Sequence, residues 1–127
     1  MHSLSRKRFA LIVDDSSDSV IPLSILLENI GWETEIAFDG IEALRKAHRS
    51  EPELVLLDIN MPKLDGIGTC SAIKVQPWAK KTRIIAITGN QSADIYTHIK
   101  KDGFDAVFLK PIDFKELSDL LATYTED

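Results

Sequence analysis

The sequence predicts a single α/β domain, a doubly wound parallel sheet with helices on both faces. Five strand-like runs alternate with five helix-like segments along the chain. The runs that end at residues 13, 57, 87 and 109 are almost entirely apolar, as strands covered on both faces should be. At 127 residues the chain is long enough to bury one core and too short for two.

The first half of the chain predicts a buried strand, a helix and an edge strand. The first helix should pack through an apolar stripe at helical spacing, with Gly31 as its stop and Pro22 near its first turn. The stripe consists of Leu23, Leu26, Leu27 and Ile30. Residues 34–38 alternate polar and apolar side chains, which indicates a strand at the edge of the sheet.

The other helices are predicted from apolar spacing and from stop signals. The second helix begins at about Asp39 and ends before Pro52, and the third ends before Pro77. The fourth begins near Ser92 and has a thin apolar stripe, so we expect it to be the most mobile helix. The fifth has Asp113 as its predicted N-cap.

Composition excludes several classes of function. A net charge of −5 argues against a nucleic-acid partner, which would need clustered basic residues. The single cysteine, Cys70, cannot form an internal disulfide, and this fits a reducing compartment. No apolar stretch approaches the roughly 20 residues of a membrane span, and no signal peptide is recognisable. We therefore expect a cytoplasmic protein without a membrane partner.

Polar residues follow four of the five predicted strands. Asp14 and Asp15 follow the first strand, Asp58 the third, Thr88 the fourth and Lys110 the fifth. Because the carboxyl ends of parallel strands meet at one edge of the sheet, these side chains should converge there. Ligands of open α/β sheets bind at that same edge.

These residue types together suit the transfer of a phosphoryl group. Asp58 is the candidate nucleophile, since a carboxylate can form an aspartyl phosphate. Carboxylates that converge repel one another by about 1 to 4 kcal/mol for each contact at about 4 Å, so a cation is needed. Mg²⁺ (or Mn²⁺) suits an oxygen-rich site. We expect Asp15, Asp58 and the backbone carbonyl of Asn60 as direct ligands and Asp14 as a ligand through water.

Two further residues complete the predicted site. Lys110 can pair with a phosphoryl oxygen as a point charge, and Thr88 can donate a hydroxyl hydrogen bond to another. Each signal is weak when taken alone. Their conjunction at four strand ends is what predicts a metal-assisted phosphoryl acceptor.

The chain resembles the receiver domains of two-component response regulators over essentially its full length. The motifs that carry the resemblance are Val13-Asp14-Asp15, Asp58-Ile59-Asn60-Met61-Pro62 with Asp65-Gly66, Thr88, and Lys110-Pro111. The resemblance implies a flavodoxin-like fold with sheet order 2-1-3-4-5 and a cis peptide bond between Lys110 and Pro111. It further implies one receiver domain over residues 1–127, with a short basic lead at 1–8 and no effector domain.

The resemblance also implies a function. Asp58 would take a phosphoryl group from a phosphohistidine on a sensor histidine kinase or a histidine phosphotransfer protein. The domain would be a signalling phosphoacceptor and not an enzyme, with only self-catalysed phosphoryl transfer and hydrolysis. It would act as a monomer or weak dimer on a downstream protein partner that the sequence does not identify.

One position departs from the family pattern. In receivers an aromatic residue on the fifth strand usually follows the threonine inward and remodels the face of helix 4, strand 5 and helix 5. Here that position is Val107, three residues before Lys110, and Phe108 should point to the opposite face of the strand. We therefore expect a smaller change of the output surface on phosphorylation.

Two alternatives use the same residues. A phosphatase of the haloacid dehalogenase type also has a strand-end Asp nucleophile, but it needs a second Asp two residues later, where this chain has Asn60. A degenerate receiver would act only as an interaction module. The intact Asp58, Lys110 and acidic pair argue against it.

Overall fold

The computed structural model describes residues 8–59, 66–89 and 103–124. In chain order the elements are β1 (Arg8–Val13), α1 (Ser17–Asn29), β2 (Trp32–Ala37), α2 (Gly40–Ser50), β3 (Leu54–Asp58), α3 (Gly66–Lys74), a 3-10 helix (Pro77–Lys81), β4 (Arg83–Thr88), β5 (Ala106–Leu109) and α4 (Phe114–Tyr124). Here α4 is the fifth predicted helix. The fourth predicted helix, from about Ser92, lies outside the described residues, and so does Asn60.

The strands form one parallel sheet in the order β2-β1-β3-β4-β5, which confirms the predicted topology. The predicted second strand, β2, lies at an edge as expected. In the register of the central strands, Val13 is opposite Leu57, and Asp58 is opposite Ile87. The carboxyl ends of β1, β3 and β4 are therefore level, and the residues that follow them meet at one edge.

Side chains that alternate along the strands supply two hydrophobic cores, one on each face of the sheet. On one face α1 and α4 cover the strands, and on the other face α2 and α3 do so. The first core includes Ile12, Leu23, Leu27, Leu56, Ile85, Leu117 and Leu121. The second includes Leu11, Ala43, Ala47, Val55, Leu57, Cys70, Ile73 and Ile84.

Two helices begin where the sequence predicted, each after an aspartate that caps it. The Asp39 side chain accepts a hydrogen bond from the backbone N–H of Glu42, and the Glu42 side chain accepts one from the N–H of Phe38. The pair resembles a capping box, but the N–H that Glu42 accepts belongs to Phe38, one residue before the N-cap Asp39. At the start of α4, the Asp113 side chain accepts from the N–H of Lys115 and of Glu116, as its predicted role requires.

The first helix begins earlier than Pro22 suggested. The N–H of Ser16 donates to the Asp14 side chain, and the carbonyl of Ser16 accepts from the N–H of Val20. These bonds start the helix at Ser17, so Pro22 lies in its second turn and the expected position was wrong. At the other end, Ile30 is the C-cap and is 43% exposed, whereas its predicted place was on the buried stripe.

One other expectation needs correction, and one short helix was not expected. Arg8, which was expected to belong to the basic lead, is the first residue of β1, where it lies 2.8 Å from Glu53 and 5.2 Å from the centre of the Trp32 ring. The segment after α3 is a 3-10 helix, Pro77–Lys81, which the sequence did not predict. A helix of five residues is too short to show an apolar period.

Candidate functional site

Three of the predicted residues meet in direct contact at the carboxyl edge of the sheet. The Lys110 Nζ atom lies 3.1 Å from Asp14 Oδ2 and 3.3 Å from Asp58 Oδ2. Asp14 and Asp58 are only 2% and 5% exposed, while about a third of the lysine side chain, 34%, is exposed. Two buried carboxylates thus share one cation that solvent can still reach.

The backbone of the loop after β1 holds Asp14 in place. Its own N–H donates to the carbonyl of Ala37 at the end of β2, at 3.1 Å. Its Oδ1 atom accepts the N–H of Ser16 at 3.0 Å, and Oδ2 accepts from Lys110. Both carboxylate oxygens of Asp14 are therefore already hydrogen-bonded. The neighbouring residue, Asp15, is exposed.

Asp15 joins the same group of acids. One carboxylate oxygen from each of Asp14, Asp15 and Asp58 lies within 4.8 Å of the other two. Carboxylate oxygens at such spacing are ligands that Mg²⁺ or Mn²⁺ prefers. The donor set therefore fits the predicted cation. The predicted backbone ligand, Asn60, lies outside the described residues.

Thr88 is the last residue of β4 and is completely buried. Its carbonyl accepts the N–H of Lys110 at 2.9 Å, and one residue earlier the carbonyl of Ile87 accepts the N–H of Ile59 at 3.1 Å. These two bonds fix the ends of β3, β4 and β5 relative to one another. A shift in the backbone at Thr88 would therefore be felt at Lys110.

Lys110 is held in its charged form by the two carboxylates. Burial lowers the pKa of Lys110, but its hydrogen bond to Asp14 and the charge of Asp58 more than offset this effect, so the pKa rises above the ordinary value of 10.5. The pKa of Lys110 is higher in the folded state than in the unfolded state. The charged lysine therefore stabilises the fold fully below pH 10.5, and this stabilisation is lost as the pH rises through the folded pKa.

A cleft of about 460 Å³ opens beside the acids, between α1 and the start of α4. Asp14, Asp18 and Lys110 contribute to its polar side, and Pro22 and Phe114 to its apolar side. The peptide bond that leads into it from Lys110 to Pro111 is cis, as the resemblance implied. A ligand site at this edge was expected, but the walls of the cleft could not be predicted, since they come from segments that are far apart in the chain.

Val107 and Phe108 lie on opposite faces of β5, as the alternation of side chains predicted. Val107 packs against the core under α2 and α3, and Phe108 against the core under α1 and α4. Phe108 therefore does not take the place of the aromatic residue that receivers usually have at position 107.

No helix of the described residues has the length and apolar character needed to cross a membrane.

The fold and the acidic edge with its lysine are those of a receiver domain. The sequence profile of the response regulator receiver domain matches residues 10–122, so the chain belongs to that family. Receiver domains are signalling phosphoacceptors of two-component systems and are phosphorylated by histidine kinases.

Particular relatives include regulators and a kinase. PrrA, a transcriptional regulatory protein of Mycobacterium leprae, is 35% identical over 107 residues, which make up 84% of this chain and 45% of PrrA. The chain thus spans less than half the length of that relative. The chemotaxis protein CheY4 of Vibrio cholerae has a TM-score of 0.87 at 30% identity, with 94% of this chain and 99% of that chain covered.

A second similar structure is the receiver domain of a sensor histidine kinase, PA1611, from Pseudomonas aeruginosa. It has a TM-score of 0.84 at 26% identity, and the match covers 94% of this chain and 98% of that one. That structure has a magnesium ion coordinated in its active site cleft. Similar receivers are therefore found both in regulators and in kinases.

Proposed function

We propose that this chain takes a phosphoryl group from a phosphohistidine onto Asp58. The donor is a sensor histidine kinase or a histidine phosphotransfer protein. The observation that carries the proposal is the contact of Lys110 with Asp58 and Asp14 at the end of β3. An isolated strand-end aspartate would need no such neighbours, whereas an aspartate that accepts a phosphoryl group needs a cation beside it.

The chemistry assigned to Asp58 is nucleophilic. One of its carboxylate oxygens forms a bond to phosphorus while the bond from phosphorus to the donor imidazole nitrogen breaks, and the ring leaves as neutral imidazole because its other nitrogen already carries a proton. Lys110 then pairs with an oxygen of the phosphoryl group, because its Nζ already lies 3.3 Å from Asp58. Thr88 donates its hydroxyl hydrogen bond to a second phosphoryl oxygen.

A divalent cation, Mg²⁺ or Mn²⁺, belongs to this proposal. Asp15 and Asp58 are assigned as direct ligands with the backbone carbonyl of Asn60, and Asp14 as a ligand through water. The hydrogen bonds that Asp14 already makes to Lys110 and Ser16 support a less direct role for it than for the exposed Asp15. When bound, the ion neutralises charge on the transferred group.

The output of the domain is proposed to be a change in partner binding. The surface involved is formed by the predicted fourth helix, β5 and α4. Thr88 is linked to Lys110 through the backbone, so its movement toward a phosphoryl group can reach β5. With Val107 in place of an aromatic ring, we expect that change to be small, since a ligand shifts an equilibrium only by its differential stabilisation of the two states.

The test of the proposal is chemical labelling of the whole chain. The protein is incubated with a small phosphodonor such as acetyl phosphate and with Mg²⁺, and its mass is followed over time. We expect a single added phosphoryl group, and borohydride reduction followed by peptide mass spectrometry should assign it to Asp58. A chain that stays unlabelled, or a label on another residue, contradicts the proposal.

Mg²⁺ is expected to stabilise the wild-type fold and to do so through Asp15. At a concentration of 10 to 100 times its Kd, a ligand that binds only the folded state adds about 1 to 3 kcal/mol. The Asp15→Asn variant should lose most of that gain in a thermal melt with and without Mg²⁺. Asp18→Asn, which removes a nearby acid outside the cluster, is the matched control and should keep it. If Mg²⁺ stabilises the wild type and both variants equally, Asp15 is not a ligand of the metal ion.

A further inference from the structure

The edge of the sheet opposite Asp58 carries a second cleft, of about 640 Å³. In a parallel sheet all strands begin at this edge, and each of the five supplies a wall residue from its start or from the position just before it. These residues are Arg8 from β1, Trp32 from β2, Glu53 before β3, Arg83 from β4 and Asp105 before β5. No step of the proposed phosphoryl transfer uses this cleft.

Two ion pairs stand in the walls of the cleft. Arg8 Nε lies 2.8 Å from Glu53, and Lys74 Nζ lies 3.4 Å from Asp105. Among the described residues that line the cleft, Glu53 and Asp105 are the carboxylates, and each already has a cationic partner there. The acidic groups of the cleft are therefore balanced.

Three more cations line the same cleft. They are Lys80 and Lys81 at the end of the 3-10 helix and Arg83 at the start of β4, and all three are exposed. Among residues 8–59, 66–89 and 103–124, none of the three forms an ion pair with a carboxylate. The Arg83 guanidinium lies 4.5 Å from the centre of the Tyr124 ring, which orients it without neutralising it. The described lining residues thus carry an excess of positive charge, in a chain whose net charge is −5.

The walls of the cleft are held by short hydrogen bonds. The N–H of Ile84 donates to the Asp105 side chain at 2.7 Å, and the Thr82 hydroxyl donates to the carbonyl of Pro52 at 2.9 Å. Lys74 also donates to the carbonyl of Thr82 at 3.1 Å. A ligand would therefore meet cations on a backbone that is already ordered, so the ordering cost of binding would come from the lysine side chains and not from the backbone.

We propose that this cleft binds a small multivalent anion of the diphosphate or triphosphate class. Lys80, Lys81 and Arg83 would bind its oxygens, since ammonium and guanidinium groups are the side chains that pair best with phosphate. The cleft volume lies within the range of about 300 to 1,000 Å³ that is usual for small-molecule sites. A long nucleic acid fits less well, because the acidic remainder of the chain would repel it.

The experiment is a calorimetric titration of the whole chain with pyrophosphate, and in parallel with tripolyphosphate. EDTA is present throughout, so that no divalent cation can bring the anion to the acids beside Asp58. We expect saturable binding with one site per chain. The double variant Lys80→Gln/Lys81→Gln should bind about tenfold more weakly or worse, and Lys80→Arg/Lys81→Arg should retain binding because it keeps both charges.

A matched control separates the cleft from general charge effects. Arg45→Gln removes an exposed cation of α2 that makes no ion pair within the described residues. It should leave pyrophosphate affinity unchanged. If neither anion binds saturably, or if Arg45→Gln weakens binding as much as the lysine pair does, the proposal is wrong. Because Asp58 lies at the opposite edge, labelling of the Lys80→Gln/Lys81→Gln variant by a phosphodonor should remain normal, so the two proposals can fail separately.

Discussion

The Asp58→Asn variant is expected to incorporate phosphoryl groups at least about a thousandfold more slowly than the wild type. An amide oxygen carries no full negative charge and forms no stable adduct with phosphorus, so the chemical step loses its nucleophile. The rest of the site stays in place, since Lys110 can still pair with Asp14. The measurement is the initial rate of label incorporation from acetyl phosphate with Mg²⁺.

The control for this variant is Asp18→Asn. Asp18 lines the cleft beside Asp14 and Lys110, but it is not one of the clustered acids. The Asp18→Asn variant should incorporate phosphoryl groups at the wild-type rate. Circular dichroism should show that both variants are folded. Labelling of Asp58→Asn at the wild-type rate would mean that another group is the nucleophile.

The carboxyl edge of the sheet could be predicted from sequence because one rule governs it. Runs of apolar residues marked the strands, and polar residues stood directly after them, so parallel pairing had to gather Asp58, Thr88 and Lys110. The order of the strands did not follow from these patterns and came from the family resemblance. Different ligand roles were expected of Asp14 and Asp15, but which of the two side chains is buried could not be predicted either. The structure shows a buried Asp14 beside an exposed Asp15.

The cationic cleft at the amino edge of the sheet could not be predicted, because no sequence pattern brings its residues together. Arg8 and Arg83 are far apart in the sequence, and each looks like an ordinary solvated residue at a strand entrance. Only the register of β1, β3 and β4 places them around one cleft with Glu53. The position of Lys80 and Lys81 could not be predicted either, since a 3-10 helix of five residues is too short to show a periodic apolar pattern. The grouping of these cations around one cleft therefore becomes visible only in the tertiary structure.

Replacement of Lys110 by methionine should damage both stability and phosphoryl transfer. In the absence of divalent cations, the variant leaves Asp14 and Asp58 buried without their shared cation. Breaking a fully buried pair costs about 3 to 5 kcal/mol. The exposure of Lys110 lets water screen part of this loss, so we expect about 1 to 3 kcal/mol in urea unfolding at pH 7. Labelling should slow by at least about a hundredfold, the usual cost of removing one group that stabilises developing charge.

Lys115→Met is the matched control for that variant. Lys115 also pairs with an aspartate, Asp119, but on the exposed surface of α4, where water screens the pair, so its loss should leave stability almost unchanged. The pH dependence gives a second check. Since the pKa of Lys110 is raised in the fold, the wild type should keep its advantage over Lys110→Met below pH 10.5 and lose it as the pH rises through the folded pKa. Mg²⁺ should restore part of the stability of Lys110→Met, because it supplies positive charge to the same carboxylates, but not its labelling rate. If Lys110→Met is as stable as Lys115→Met at pH 7, then Lys110 is not the cation on which the buried acids depend.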